Sequence, residues 1–256
     1  MIVTLLHIVW QTALRTWRKT LRRPVPLTFS FVQPLFWMLI FGFLFHRFTL
    51  GTAYADFSYL DFLLAGVCCM TVLFGASQAG IGIVRDLQTG FLQRMVRASA
   101  HPAAILSGKI GAEVTRLLLQ AIVVGLLGIA LGARPRFDIP SLAVAALALA
   151  LFAIAYASLS CWVALKTKAQ ESVAVFVHIV NMPLLFTSTA LVPARQMPPW
   201  LETVARWNPL TIAAEILRDA LLFQRLPDPM RLLPLAILGV ALFTLAAHGM
   251  ARAADD

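Results

Sequence analysis

The chain has 256 residues, of which 60% are hydrophobic and only 13% are charged, and its formal net charge is +9. A water-soluble domain of this length does not need so much apolar surface, so the composition excludes an ordinary soluble protein. In a soluble chain the positive charge would suggest nucleic acid as a partner, but here the basic residues lie in connectors between apolar stretches, as in membrane proteins.

Residues 1–24 are predicted to form an amphipathic helix before the first apolar stretch. An apolar stripe that includes Trp10 and Trp17 recurs at spacings of three and four, with Arg18 among the basic residues on the remaining surface. Tryptophan with basic residues is typical of a helix in the headgroup plane, and a soluble helix packed on a partner is the alternative. Pro24 then turns the chain into the membrane.

Six uncharged, mostly apolar stretches follow, each close to the ~20 residues that cross a bilayer as a helix. They are residues 25–45, 62–84, 117–133, 139–165, 172–194 and 232–251. Closed barrels are excluded because their strands alternate polar and apolar residues, whereas residues 142–151 are apolar throughout. We therefore predict an all-α integral membrane protein with six spans.

The longest predicted cytoplasmic connector, residues 84–110, lies between the second and third spans. Leu87, Phe91 and Met95 recur at helical spacing beside basic residues, which predicts a short amphipathic helix, and a second short helix is predicted after Pro102. An interfacial helix resting on lipid is the alternative.

Residues 193–231, before the last span, contain apolar pieces that are too short to cross a bilayer. Pro198, Pro199 and Pro209 interrupt them. This pattern predicts a re-entrant or interfacial helix pair on the external side rather than a crossing.

The short connectors predict the orientation of the chain in the membrane. Basic residues are concentrated in the connectors that would face the cytoplasm if both termini are inside: Arg15, Arg18, Lys19, Arg22, Arg23, Arg85, Arg94, Arg97, Lys109, Arg116, Lys166, Lys168 and Arg252. By the positive-inside rule both termini are expected on the cytoplasmic side.

Catalytic signatures are missing from the sequence. The nearest approach to the phosphate-binding pattern G-x-x-x-x-G-K-[ST] has Ala103 at the first glycine and Ile110 at the Ser or Thr position. No metal-ligand or triad spacing emerges, so we expect no catalytic residue, no metal and no cofactor on this chain. Glu113 and Arg116 are interpreted as an ion pair rather than a proton relay, and the three cysteines as packing residues.

The ordered features resemble a permease subunit of the type-2 ABC exporter family over nearly the full length of the chain. The resemblance is most specific in two segments, VRDLQTGFLQRMVRASAHPAAILSGK at 84–109 and LVPARQMPPWLETVARWNPLTIAAEILRDALL at 191–222. The first resembles the coupling region after the second span, and the second resembles the segment before the last span.

The resemblance implies roles for individual residues. It places Asp86, Gly90, Arg94 and Met95 in a coupling helix that docks on a separate ATPase, although the family often has glutamate where this chain has Asp86 and Gln93. The residues that match the external gate region are Pro198, Trp200, Asn208, Pro209 and Arg218. Residues 1–24 then correspond to the connecting helix and 25–256 to the permease domain, with a coupling region at 85–109 and a gate region at 193–231.

The resemblance also implies partners and a location. Two ATPase subunits would carry ATP and magnesium, and a second copy of the permease or a close paralogue would complete the pathway in the bacterial cytoplasmic membrane, among its lipids and without nucleic acid. An aromatic-rich first span suits a drug-like or lipid-like amphiphile, although these rings could equally face lipid. The alternatives are export of a polysaccharide or lipo-oligosaccharide and, outside transport, an assembly factor for a membrane complex.

Overall fold

The computed structural model describes residues 2–21, 24–48, 50–99, 102–136 and 138–255. Within these ranges the chain is helical and contains no strand. The helices are α1 (Ile2–Leu21), α2 (Pro24–Leu44), α3 (Tyr59–Ser77), α4 (Ala79–Gln88), α5 (Phe91–Ser99), α6 (Pro102–Ala130), α7 (Ile139–Thr167), α8 (Gln170–Phe186), α9 (Pro199–Trp207), α10 (Pro209–Leu222) and α11 (Leu233–Asp255). Of the predicted basic residues, Arg22 and Arg23 lie outside the described ranges.

Side chains at the helix starts explain several of these boundaries. Ser58 and Asp61 form a reciprocal capping box at the start of α3. Asp138 accepts a hydrogen bond of 3.2 Å from the Ser141 backbone N–H at the start of α7. The Asp61 carboxylate also accepts a 2.6 Å hydrogen bond from the Arg134 backbone N–H, which ties the α6–α7 loop to α3.

Four segments of the described chain are long and apolar enough to cross a membrane: 59–88, 102–130, 139–167 and 229–252. Two shorter apolar helices, 31–44 and 170–186, fall in the first and fifth predicted spans. The all-helical membrane architecture is thus confirmed, while six crossings are not established by length and composition alone.

The helix α7 lies at the centre of the bundle and packs against α3, α4, α6, α8, α10 and α11. Small side chains allow this close packing, since Ala145, Ala148, Ala153 and Ala157 of α7 are fully buried. The protein has two ends along the bundle axis. We name them the Asp86 end, where α4 ends, and the Arg218 end, which holds α10.

The second predicted span is broken where the sequence suggested one continuous helix over 62–84. The break falls at Gln78, between α3 and α4. Ser160 of α7 satisfies the backbone groups that the break exposes, because its hydroxyl donates to the Ser77 carbonyl oxygen and accepts from the Gly80 N–H at 3.0 Å. Asn181 of α8 donates to the Ser77 hydroxyl at 2.9 Å.

The third predicted span differs in the opposite way. The prediction of a separate short helix after Pro102, with the span beginning at residue 117, is wrong, because α6 is one helix from Pro102 to Ala130. Its first turns are buried against α1, where a Cβ on Gly108 would lie 2.5 Å from the Val9 carbonyl oxygen. This packing stabilises a continuous helix through residues that the sequence analysis assigned to the connector before the third span.

The helix α1 packs on α6 through a face different from its predicted apolar stripe. Thr12 is buried against α6, whereas Trp10 and Arg18 are exposed and Trp17 is half-buried. Trp10 therefore points away from the bundle, which leaves it accessible to a membrane surface.

The fifth predicted span, 172–194, is shorter than expected, since α8 ends at Phe186. Pro183 lies inside its last turn, and residues 187–193 are not α-helical. This irregular segment packs at the Arg218 end.

Candidate functional site

The Asp86 carboxylate lies buried at the last turn of α4. Its Oδ2 contacts Lys109 Nζ of α6, and its Oδ1 lies 3.5 Å from Arg15 Nη2 of α1. A buried carboxylate needs such partners to compensate its lost hydration. Asp86 therefore joins α4 to α1 and α6 within this chain.

The turn after Asp86 depends on Gly90. Its φ is +64°, a left-handed conformation that favours glycine, and it separates α4 from α5. The Thr89 hydroxyl donates to the Arg85 carbonyl oxygen at 3.0 Å, and the Arg94 guanidinium donates to the Thr89 carbonyl oxygen at 3.2 Å. These bonds fix the direction in which α5 leaves the bundle.

The helix α5 has an inner and an outer side. Met95 packs against the core, and the Arg15 guanidinium lies 3.2 Å from the centroid of the Phe91 ring and 4.0 Å from Met95 Sδ. Arg94 is exposed. Of the four predicted coupling residues, the structure brings Asp86 and Met95 together around Arg15, and it leaves Arg94 at the surface.

Sequence reasoning did not single out Arg15 or Lys109 for this site. The signal was present for Lys109, since it is a lone lysine in an otherwise uncharged run from Pro102 to Ala112, where an unpaired charge would be costly. Arg15 was counted only as one of several basic residues on α1.

At the opposite end, Arg218 of α10 is 1% exposed. Its guanidinium donates to the carbonyl oxygens of Phe62, Thr189 and Ala190 and to the Thr189 hydroxyl, with 3.3 Å to the Phe62 oxygen and 3.1 Å to the Ala190 oxygen. The guanidinium carbon also lies 3.7 Å from the centroid of the Phe62 ring. One side chain thus joins α3, α10 and the irregular segment after α8.

The other predicted gate residues shape the approach to Arg218. Asn208 caps α10 by accepting from the Leu210 N–H at 2.9 Å, and its amide donates to the Leu184 carbonyl oxygen at 2.7 Å. Pro209 is the first residue of α10. Pro198 precedes α9, and Trp200, with 67% of its surface exposed, points outward.

A cavity of about 350 Å³ opens beside Arg218, with Tyr54, Arg195 and Glu215 in its wall. Burial raises the pKa of the Glu215 carboxyl, and the Arg218 guanidinium opposes that shift. Burial likewise raises the pKa of the Tyr54 hydroxyl. The wall therefore combines two guanidinium groups with a carboxyl and a phenol group at the Arg218 end.

A second cavity of about 310 Å³ lies next to it, and Gln196 lines both. The remaining wall of the second cavity is almost entirely apolar and consists of Phe41, Phe45, Phe48, Tyr59, Leu185, Phe186, Ser188, Leu191, Val192, Met197, Pro198 and Leu201. The aromatic rings of Phe41 and Phe45 stack at 5.7 Å between centroids. This aromatic pocket suits an apolar group.

The charges on α6 form the ion pair that the sequence predicted. Arg116 Nε lies 2.7 Å from Glu113 Oε2, and Arg116 Nη1 lies 3.1 Å from Gln120 Oε1.

Cys68, Cys69 and Cys161 are buried free thiols in the helices. Within the part of the chain that the structure describes, no group of His, Cys, Asp and Glu side chains could hold a metal ion.

Comparison with known proteins places this architecture among transporters. Residues 8–222 match the family model described as ABC-2 type transporter. The chain is 30% identical over 210 residues to the putative transport permease ycf38 of Pyropia yezoensis, which covers 81% of this chain and 70% of the relative. It is 28% identical over 198 residues to the daunorubicin resistance ABC transporter permease protein DrrB1 of Streptomyces coeruleorubidus (77% and 68%), and 25% identical over 227 residues to nodulation protein J of Neorhizobium galegae (86% and 82%).

Proposed function

Because the chain belongs to the ABC-2 type transporter family, we propose that it is the permease subunit of an ATP-driven exporter that moves a hydrophobic or amphiphilic small molecule out across the bacterial cytoplasmic membrane. Permeases of this family work with an ABC ATPase. In this proposal two ATPase subunits supply ATP hydrolysis with magnesium, and two permease chains, identical or paralogous, enclose the pathway. The chain itself carries out no catalysis.

The proposed topology has six crossings. Four crossings are the long apolar segments. The other two are α2 and α8, each of which runs between the Asp86 end and the Arg218 end. The pair α9 and α10 is interrupted at Asn208 and Pro209, so neither helix is long enough to cross. Both termini then lie on the cytoplasmic side with the Asp86 end, while 193–231 forms the external gate region.

Coupling to the ATPase is assigned to α5 and the Gly90 turn. The buried Asp86–Lys109 contact holds this segment on α6, and Arg94 offers a surface charge for docking. Movement of α5 on ATP binding would reach α1 and α6 through Arg15, whose guanidinium touches Phe91 and Met95. The coupling region therefore has a rigid connection to the rest of the bundle.

The aromatic pocket is the observation that supports an amphiphilic substrate. It combines ring walls from α2 with the segment before α9, and it borders the charged cavity that contains Glu215. An amphiphile presents an apolar body and a polar group, and these adjacent surfaces match that pattern. Two relatives are named for resistance to daunorubicin and doxorubicin, which favours a drug-like molecule over a polysaccharide.

The test is transport in proteoliposomes that contain the permease and its ATPase, with doxorubicin as a fluorescent probe. We expect ATP-dependent movement that Phe45→Ala reduces several-fold, because Phe45 lines the pocket just beyond the end of α2, while Phe36→Ala on the exposed face of α2 leaves the rate unchanged. Movement of a lipid-linked oligosaccharide but not of doxorubicin would replace the proposal by the polysaccharide alternative. Lack of any ATP-dependent transport would leave only an assembly role.

A further inference from the structure

A cleft of about 170 Å³ lies at the Asp86 end between α1, α4, α6 and α7. It begins beside Arg15 and Asp86 and extends along α4 to Ala79. Asp86 lies seven positions after Ala79 on α4, which corresponds to a depth of about 10 Å. The cleft thus runs from one end of the bundle into the level of the apolar spans.

Positive charge exceeds negative charge around this cleft. Arg15, Arg85 and Lys109 line it, together with the carboxylates of Asp86 and Glu113. Both carboxylates already have cationic partners, since Asp86 contacts Lys109 and Glu113 is paired with Arg116 at 2.7 Å.

Arg85 adds a positive charge that these pairs do not neutralise. Its side chain is exposed, and among the described residues no carboxylate lies within ion-pair distance of it. The surplus positive charge would attract an anion, most strongly where apolar helices exclude water.

The deeper walls of the cleft are apolar and leave room for a ligand. Ile83, Ile110 and Cys161 form these walls. A Cβ on Gly82 would meet no atom within 4 Å, so this position faces open space in the cleft. The exposed Trp10 of α1 is a residue type that membrane proteins place at the headgroup level. A ligand with an anionic head and an apolar body fits this arrangement.

We propose that the cleft binds an anionic phospholipid, with the headgroup phosphate beside Arg85 and Arg15 and the first part of an acyl chain against Ile83 and Ile110. The apolar walls favour a lipid over a free phosphate, which would leave them exposed to water. This site is separate from the aromatic pocket at the opposite end and does not depend on the identity of the transported molecule.

The experiment is a lipid titration of the purified full-length chain in detergent, followed by native mass spectrometry, with phosphatidylglycerol and phosphatidylcholine as probes. We expect a preference for phosphatidylglycerol that Arg85→Gln lowers by about fivefold, the effect of one basic residue near an anionic membrane surface. Gly82→Leu should abolish tight binding because the new side chain fills the cleft. Gly125→Leu is the matched control, since a Cβ there also meets no atom within 4 Å, but Gly125 lies on α6 outside the cleft.

Equal binding of both lipids, or wild-type binding by Arg85→Gln and Gly82→Leu, overturns the proposal. Displacement of phosphatidylglycerol by millimolar inorganic phosphate also overturns it, because the apolar walls would then contribute nothing. If the two variants lose association with the ATPase while lipid binding persists, the cleft belongs to the protein partner instead. Circular dichroism and gel filtration of each variant establish that the fold is retained.

Discussion

Lys109 of α6 contacts the carboxylate of Asp86 inside the chain, so the last residues before the Gly90 turn are fixed to α6. The Lys109 side chain is 10% exposed and that of Asp86 is 7% exposed, which makes this a buried pair. Removal of one partner from such a pair leaves an uncompensated charge, whereas removal of both does not.

We therefore predict that Asp86→Asn destabilises the chain by about 3 to 5 kcal/mol. Lys109→Gln should have a similar effect, and the double variant should lose less than the sum of the two single variants. Unfolding in mixed micelles measures this double-mutant cycle. Additive losses would show that the two residues do not interact in the folded protein.

A second prediction concerns Arg94 on the exposed side of α5. Arg94→Glu should weaken association with the partner ATPase by about tenfold, because a charge that faces a partner mainly affects docking. The folded chain should remain as stable as the wild type, since the guanidinium makes only one described hydrogen bond, to the Thr89 carbonyl oxygen. Surface plasmon resonance with the chain held in nanodiscs measures the affinity.

The matched control is Arg225→Glu, another exposed arginine, which follows α10 at the Arg218 end. It makes the same charge change far from α5 and should leave the affinity unchanged. An equal loss in both variants would mean that overall charge, rather than docking of α5, determines association. Met95 is less suitable for this test because it also packs inside the chain.

The sequence was sufficient to predict the helical class and most helix positions. Long apolar runs such as 139–165 correspond to α7, and the prolines around residue 198 correctly indicated two short helices. It was insufficient where tertiary contacts decide the structure. The break at Gln78 depends on Ser160, a residue 82 positions away, which satisfies the freed backbone groups. A hydropathy pattern cannot predict such a contact, because it describes only neighbouring residues in the sequence.

The candidate sites show the same division. Arg218 was identified through its motif, but its burial against Thr189 and Ala190 depends on the early end of α8. The burial of Asp86 was missed, because a charged residue between apolar ones looks like part of an exposed amphipathic helix. Its partners Arg15 and Lys109 lie on two different helices, and only the packing of α1 on α6 brings them together.

A third prediction concerns the buried guanidinium of Arg218. Arg218→Lys keeps the charge but cannot reach the carbonyl oxygens of Phe62, Thr189 and Ala190 at once, because lysine lacks the planar fork of donors. Each carbonyl group left without a donor costs about 1 to 3 kcal/mol, so we expect a clear fall in the thermal unfolding midpoint. Arg206→Lys, on the exposed side of α9, should leave the midpoint unchanged. Equal midpoints for wild type and Arg218→Lys would contradict the assigned role.

The last prediction concerns the topology at the Arg218 end. The helices α9 and α10 have nine and fourteen residues and are separated by the Asn208 cap, so each is too short to cross the ~30 Å hydrocarbon core. A crossing that continued through both would also have to bury Glu215 and Asp219 in lipid, which is unfavourable. The loop that contains Gln224 should therefore lie outside the cell, while α11 returns the chain to the inside.

A reporter active only in the periplasm should give a signal when fused at Gln224 and none when fused at the C-terminus. Arg18→Cys should react with an impermeant thiol reagent only after the cells are opened. If both fusions report the same side, the chain contains either a seventh crossing or no final one, and the assignment of 193–231 to an external gate is wrong.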